Sequence, residues 1–291
     1  MARLLCVLVA VSALACAPSK SDAVDVASTA RTSAGAPPAA AAAGVIREEA
    51  TVQVGAVPER WALVWKRTPL PVCGPDDPES AMTCPCTGFA YGEMGELDLV
   101  RRRPGRADTR LALTPFFHAA GTDGPGDIDS LAVLRRWPVR QSDHEDAGTD
   151  DGLPAAIRAR PAVRAMALGD YDHDGRATEF VLQVGTLPCG RREAILVGVS
   201  AADSSLHAFT SVAHPERPLV LEAGLWESLR RSGGGAANGV TSVEWPCGDH
   251  GSETQTEVRL WAGPAGVGGS RSTYACSAGN TRGRLISSQP I

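Results

Sequence analysis

The chain has no surplus of positive charge: Lys and Arg number 28 against 33 Asp and Glu, a formal net charge of −5. Nucleic-acid binders draw their affinity from clustered cations laid along phosphates. No such face is visible, and a run such as Arg101-Arg102-Arg103 reads as a solvated strand end. Nor is there an apolar stretch of the roughly 20 residues that a membrane-spanning helix needs, since the run Leu4 to Val11 stops far short. Zinc chemistry is equally thin. A site from Cys73, Cys84 and Cys86 is conceivable, but Cys84-Pro85-Cys86 lacks the two-residue spacing of zinc knuckles and no paired His follows it.

What the N-terminus does hold is an export signal. Arg3, the apolar run and then Ser12-Ala13-Leu14-Ala15-Cys16 read as a secretory signal peptide over residues 1–15. Leu14-Ala15-Cys16 resembles the bacterial lipobox, departing from its strongest form by Ala13 in place of Leu. The resemblance implies cleavage before Cys16, lipidation of Cys16, and attachment to the membrane through that lipid. It implies an exported, outer-membrane or periplasm-facing lipoprotein of the bacterial cell envelope. Stable anchoring takes more than one acyl chain, which such processing supplies. Ordinary cleavage after Ala15 is the alternative. Residues 16–58 are then dominated by Ala, Ser, Thr, Pro and Gly, including Gly35-Ala36-Pro37-Pro38 and the alanines that follow. Too few large apolar side chains occur there to bury a core, so the segment reads as a disordered tether with a reach of roughly 35 Å.

Residues 59–291 read as the folded domain. Alternating or β-branched runs bounded by Gly, Pro or Asp predict strands at 61–66, 96–101, 111–116, 131–137, 163–168, 179–184, 194–200, 206–211, 242–245, 257–262, 273–276 and 284–286. One helix is predicted, Leu225 to Arg231, with an apolar stripe at three- and four-residue spacing and a glycine stop at Gly233. The fold class is mainly β, a propeller-like or sandwich β domain with one short helix. Once Cys6 has left with the signal and Cys16 has taken lipid, Cys73, Cys84, Cys86, Cys189, Cys247 and Cys276 remain as disulfide candidates. An even set in an oxidising compartment implies disulfide staples. Cys247 with Cys276 is the expected pair, because both sit in the last sheet segment.

The sharpest signal is Gly169-Asp170-Tyr171-Asp172-His173-Asp174-Gly175, where three carboxylates alternate before a glycine and a strand. Alternate Asp side chains in a tight turn supply several of the six to eight oxygens that calcium takes. An EF-hand is excluded, because Val181 stands at the twelfth position where that motif needs a bidentate Glu. The strand-bounded Asp-x-Asp-x-Asp-Gly loop resembles the FG-GAP repeat of integrin-type β-propellers over about residues 163–211. The resemblance implies a four-stranded blade and a structural calcium. It assigns side-chain oxygens to Asp170, Asp172 and Asp174, the sharp turn to Gly175 and a backbone carbonyl to Arg176. The family's ninth-position Asp is replaced by Thr178, with Glu179 next, so either Glu179 swings in or Thr178 and water complete the shell. His173, between ligand positions, is expected to point outward. The turns at Gly95-Glu96 and Gly126-Asp127 lead into strands in a similar way but lack the third carboxylate and the glycine.

One further loop gathers polar chemistry, Cys247-Gly248-Asp249-His250-Gly251-Ser252-Glu253. Nucleophile, base and acid normally come from distant segments, so no catalytic residue is assigned. His207 reads as a strand histidine with a satisfied partner. Two functions follow: an envelope-anchored, calcium-stabilised β domain that binds a protein or glycan in adhesion or scaffolding, or a lipid-anchored hydrolase using Asp249, His250 and Glu253.

Overall fold

The computed structural model describes residues 44–74, 91–119, 131–140, 142–143, 152–187, 191–263 and 266–291. The signal peptide, Cys16, most of the tether, the turn at Gly126 and the cysteines Cys84, Cys86 and Cys189 lie outside the described residues.

Within them, the alternating and β-branched runs form four antiparallel sheets. The first is built from β1 (Val45–Val52), β2 (Glu59–Trp65), β5 (Leu97–Arg102) and β6 (Thr109–Ala112), in that spatial order. A smaller sheet holds β3 (Leu70–Val72), β4 (Gly92–Gly95) and β7 (Ala132–Arg135). In the third, β8 (Glu179–Leu187) pairs with β9 (Arg191–Gly198) along its whole length, while the short β10 (His207–Ala208) and β11 (Leu221–Glu222) share the other edge of β9. The last is a meander of β12 (Val240–Trp245), β13 (Thr254–Gly263), β14 (Gly266–Ser277) and β15 (Thr281–Pro290).

Only 5% of the chain is aromatic, yet the tryptophans carry much of the core. Trp61 and Trp65 anchor one buried cluster with Leu97, Phe180 and Ile195, and Trp226 anchors a second with Leu196, Leu229 and Leu260. Each such ring removes roughly 150–250 Å² from water, about 4–6 kcal/mol at about 25 cal/mol/Å². The strands of β9 serve both clusters, because alternate residues point to opposite faces: Ile195 and Val197 to the first, Ala194 and Leu196 to the second.

The mainly β expectation holds, stapled by the predicted disulfide: Cys247 and Cys276 are bonded, with Cα atoms 5.6 Å apart and a sequence separation of 29. A loop of that length stabilises by roughly 3–4 kcal/mol through unfolded-chain entropy. Cys73 is disulfide-bonded as well. Four separate antiparallel sheets of three or four strands, with no closed barrel among the described residues, do not by themselves show the propeller-like form.

Several expectations need correction. The folded domain does not begin at residue 59, because β1 pairs with β2 from Val45 to Val52. Three α-helices occur among the described residues rather than one: α1 (Thr114–Ala119), α2 (Leu153–Arg158) and α3 (Ala223–Arg231). The predicted strand 111–116 breaks at Thr114-Pro115, where proline enters a first helical turn that has no use for its missing N–H. Residues 163–168 are not a strand either. Their amides are taken elsewhere: Val163 N–H donates to the Arg136 carbonyl at 2.9 Å, and Ala165 and Met166 N–H donate to the Glu48 carboxylate at 2.7 and 3.2 Å. Only Gly169 makes a bridge, to Glu179.

Glu48 therefore closes the molecule across more than a hundred residues of sequence. Removing it leaves two amides without acceptors, each costing about 1–3 kcal/mol. Glu48→Ala is expected to lower the urea midpoint by the equivalent of about 2–4 kcal/mol, whereas Glu49→Ala, which removes surface ion pairs with Arg60 and Arg102, should stay within about 1 kcal/mol of the parent. Equal effects in the two variants would contradict this role for Glu48.

Candidate metal centre

The loop between the bridge at Gly169 and the start of β8 is wound by its own side chains. Asp174 N–H donates to Asp172 Oδ1 at 3.0 Å, Gly175 N–H to Asp170 Oδ2 at 3.1 Å, and Arg176 N–H to Asp174 Oδ1 at 2.9 Å. Short acidic side chains favour such turns because they accept from amides two residues on. Gly175, at φ 87°, supplies the left-handed turn, and His173 also lies in the left-handed region at φ 57°.

The result is convergence of Asp170, Asp172 and Asp174, each with a carboxylate oxygen within 4.8 Å of the others. Asp172 is fully buried. Asp172 Oδ2 and Asp170 Oδ1 are buried and receive no hydrogen bond. A buried acceptor without a donor is costly, and a carboxylate much more so. Asp174 differs, because the Arg176 guanidinium is paired with its Oδ2, the Arg176 Nε lying at 2.9 Å. The same guanidinium reaches the Val54 carbonyl at 3.3 Å, tying the loop to the turn after β1.

Comparisons with family models, with curated proteins and with solved structures return no match. The chemistry of the loop therefore rests on its own residues. Two orphaned anionic oxygens beside a third carboxylate fit a hard cation, which wants oxygen ligands and offsets their mutual repulsion.

The remaining sequence-assigned residues have other tasks in this geometry. Glu179 stands outside the group of three: its Oε2 accepts from Tyr171 N–H at 2.8 Å, and its Oε1 accepts from the Thr178 hydroxyl. Thr178 Oγ1 also lies 3.1 Å from the Val199 carbonyl. Both are fully buried, so they brace the loop against β8 and β9 from below. His173 does not point outward as expected. Its Nε2–H donates to the Leu229 carbonyl of α3 at 3.0 Å, and its ring packs against Gly234 beyond the helix.

Sequence reasoning also missed Tyr171, whose hydroxyl donates to Glu227 of α3 at 2.5 Å while Arg230 lies over its ring at 5.8 Å. Alternation holds the signal for both: if 170, 172 and 174 gather around one point, 171 and 173 face the other way, into the fold.

The second polar loop does not assemble a relay. The His250 side chain is 81% exposed, stacks on Trp245 at 5.9 Å and lies 3.7 Å from Asp249. Ser252 donates to the Thr254 carbonyl rather than to His250, and Glu253 is exposed. His207 meets the Ser205 carbonyl at 3.0 Å through Nδ1, as a satisfied strand histidine would.

In the ion-free protein, burial pushes Glu179 up to about 8, and burial together with the charges of Asp174 and Asp170 pushes Asp172 up to about 6. Both acids hold protons more tightly folded than unfolded. Their contribution is complete at low pH and is lost as pH rises, from the ordinary 3.8 through about 6 for Asp172 and from the ordinary 4.5 through about 8 for Glu179. Chelated protein is expected to melt at a lower temperature at pH 8 than at pH 5.5, and Glu179→Gln to flatten that dependence. A melting temperature that rises with pH in chelator would contradict it.

Proposed function

We propose that the chain is an exported lipoprotein whose β domain is stabilised by a structural calcium ion in the Asp170–Glu179 loop and serves as a binding, adhesion or scaffold module at the bacterial cell envelope. The observation that carries the ion is the pair of buried, unpartnered oxygens on Asp170 and Asp172 beside Asp174. Calcium is favoured over transition metals because, among the described residues, the converging donor set is carboxylate only, with no thiolate or imidazole in the group. Asp170, Asp172 and Asp174 would hold the ion, with backbone carbonyl and water oxygens filling the shell, and the Arg176 side chain bracing Asp174 at its edge. The likeness to the FG-GAP loop supports the same reading.

The role is architectural. Tyr171 and His173 leave the carboxylates on the side away from the core-facing helix contacts, so an ion that fixes 170–174 also fixes what α3 rests on. The anchoring half of the proposal rests on the Leu14-Ala15-Cys16 motif, and the partner is a protein or glycan met at the membrane surface. The geometry around Asp249, His250 and Glu253 lends the hydrolase alternative no support.

Ligand binding to the folded state alone stabilises by about 2.7 kcal/mol at a hundred times the dissociation constant. Millimolar calcium added after chelation is therefore expected to raise the melting temperature by several degrees, with no response in Asp172→Ala. An unchanged melting temperature in the parent would sink the calcium reading. Separately, mass spectrometry of the mature protein from bacterial membranes should find an acylated Cys16 at the N-terminus, and an unacylated start at Cys16 would refute the anchor.

A further inference from the structure

A carboxylate without a side-chain donor also occurs away from the loop, at a cavity of about 290 Å³ on the seam between β11 and β14. Its deep lining includes Leu219, Leu221 and Ser211, all almost without solvent exposure. Its rim carries Arg217, whose side chain is 68% exposed, and His214. Glu193 of β9 stands half-buried in the wall.

Glu193 is the unusual member. Among the described residues no side chain donates to its carboxylate, and its cross-strand neighbour on β11 is another acid, Glu222. Like charges directly opposite on paired strands are destabilising. Burial pushes the Glu193 carboxyl up, with no cation near enough to offset it. Arg217 is loosely held, its Nε 3.9 Å from the exposed Glu216. Arg271, which also lines the cavity, is committed: its Nε and Nη2 donate to Glu244 at 3.0 and 3.1 Å. The cavity thus has a carboxylate without a side-chain donor in its wall, a loosely held cation at its mouth and leucines beneath.

We propose that this cavity binds a small apolar amino acid or dipeptide, its ammonium group on Glu193, its carboxylate on Arg217 and its side chain against Leu219 and Leu221. The volume lies at the low end of small-molecule sites, which run from roughly 300 to 1,000 Å³, and so suits one or two residues rather than a longer peptide. The ammonium relieves a desolvated carboxylate that the fold leaves bare, and the apolar floor offers burial to the side chain. This site is separate from the metal centre and does not depend on it.

The test is calorimetric titration of the full chain, in calcium, with L-leucine, L-leucyl-L-leucine, isoamylamine and isocaproate. At least one of the two zwitterions is expected to bind, and the amine and the acid, each lacking one charge, to bind more weakly. Glu193→Gln and Arg217→Ala should each weaken the zwitterion about ten- to hundredfold, as the loss of a charged hydrogen bond does. Gln keeps the shape of Glu and Arg217 is on the rim, so both variants should fold, which near-ultraviolet circular dichroism checks. Absence of heat from both zwitterions at millimolar concentration, or unchanged affinity in either variant, would overturn the proposal.

Discussion

Three carboxylates drawn within 4.8 Å of one another, one of them without solvent contact, are the constraint around which the centre of this molecule is arranged. Clustered negative charge in a buried setting is unfavourable unless something answers it. Backbone amides of the loop and the Arg176 guanidinium answer part of it, and two buried oxygens are left without a donor. Because the Asp side chains face inward to the loop, Tyr171 and His173 are free to reach α3, and the glycine-rich turn after α3 continues the path. Gly234 packs on His173, and Gly235 N–H donates to the Ala262 carbonyl of β13 at 2.7 Å. The loop is in this way a junction between the third sheet, α3 and the last sheet.

Elsewhere the sheets are joined by buried polar side chains rather than by apolar contact alone. Arg101 of β5 donates to both oxygens of Glu59 on β2, at 2.5 and 2.8 Å, and also to the Ser204 carbonyl near β10. Arg47 of β1 pairs with Glu93 of β4 and donates to the Arg135 and Val163 carbonyls. Arg160 holds the fully buried Asp143 through both carboxylate oxygens, and these bonds draw the Asp143 carboxyl below its ordinary value. Breaking such a pair strands a charge in the interior, at about 3–5 kcal/mol. The Arg101 and Arg47 contacts tie one sheet to its neighbours, and the Arg160–Asp143 pair holds the segments around α2, where a short, sparsely aromatic core would leave more than one packing open.

The parts legible from sequence were those whose signal is local. The Asp-x-Asp-x-Asp-Gly loop, the strands β2, β5, β8, β9 and β13, helix α3 and the Cys247–Cys276 pair all follow from alternation, spacing or a stop residue. The misreadings share a cause, which is partners far away in sequence. Val45–Val52 adjoins a region poor in large apolar residues and shows no clean alternation, because Arg47 and Glu48 are spent on residues 93, 135 and 163–166. Residues 163–168 form a short, largely apolar run, yet the Glu48 carboxylate takes the amides that a neighbouring strand would need. In the site, the fate of Glu179 turned on the Tyr171 amide, a contact that local spacing permits but does not require.

The central claim is that the loop holds an ion, and anomalous diffraction from crystals grown in calcium and then exchanged into terbium tests it most directly. The account predicts one strong anomalous peak per chain, within coordination distance of Asp170, Asp172 and Asp174, and its loss in Asp172→Asn. An ordered loop with no peak, or a peak that persists in Asp172→Asn, would contradict it.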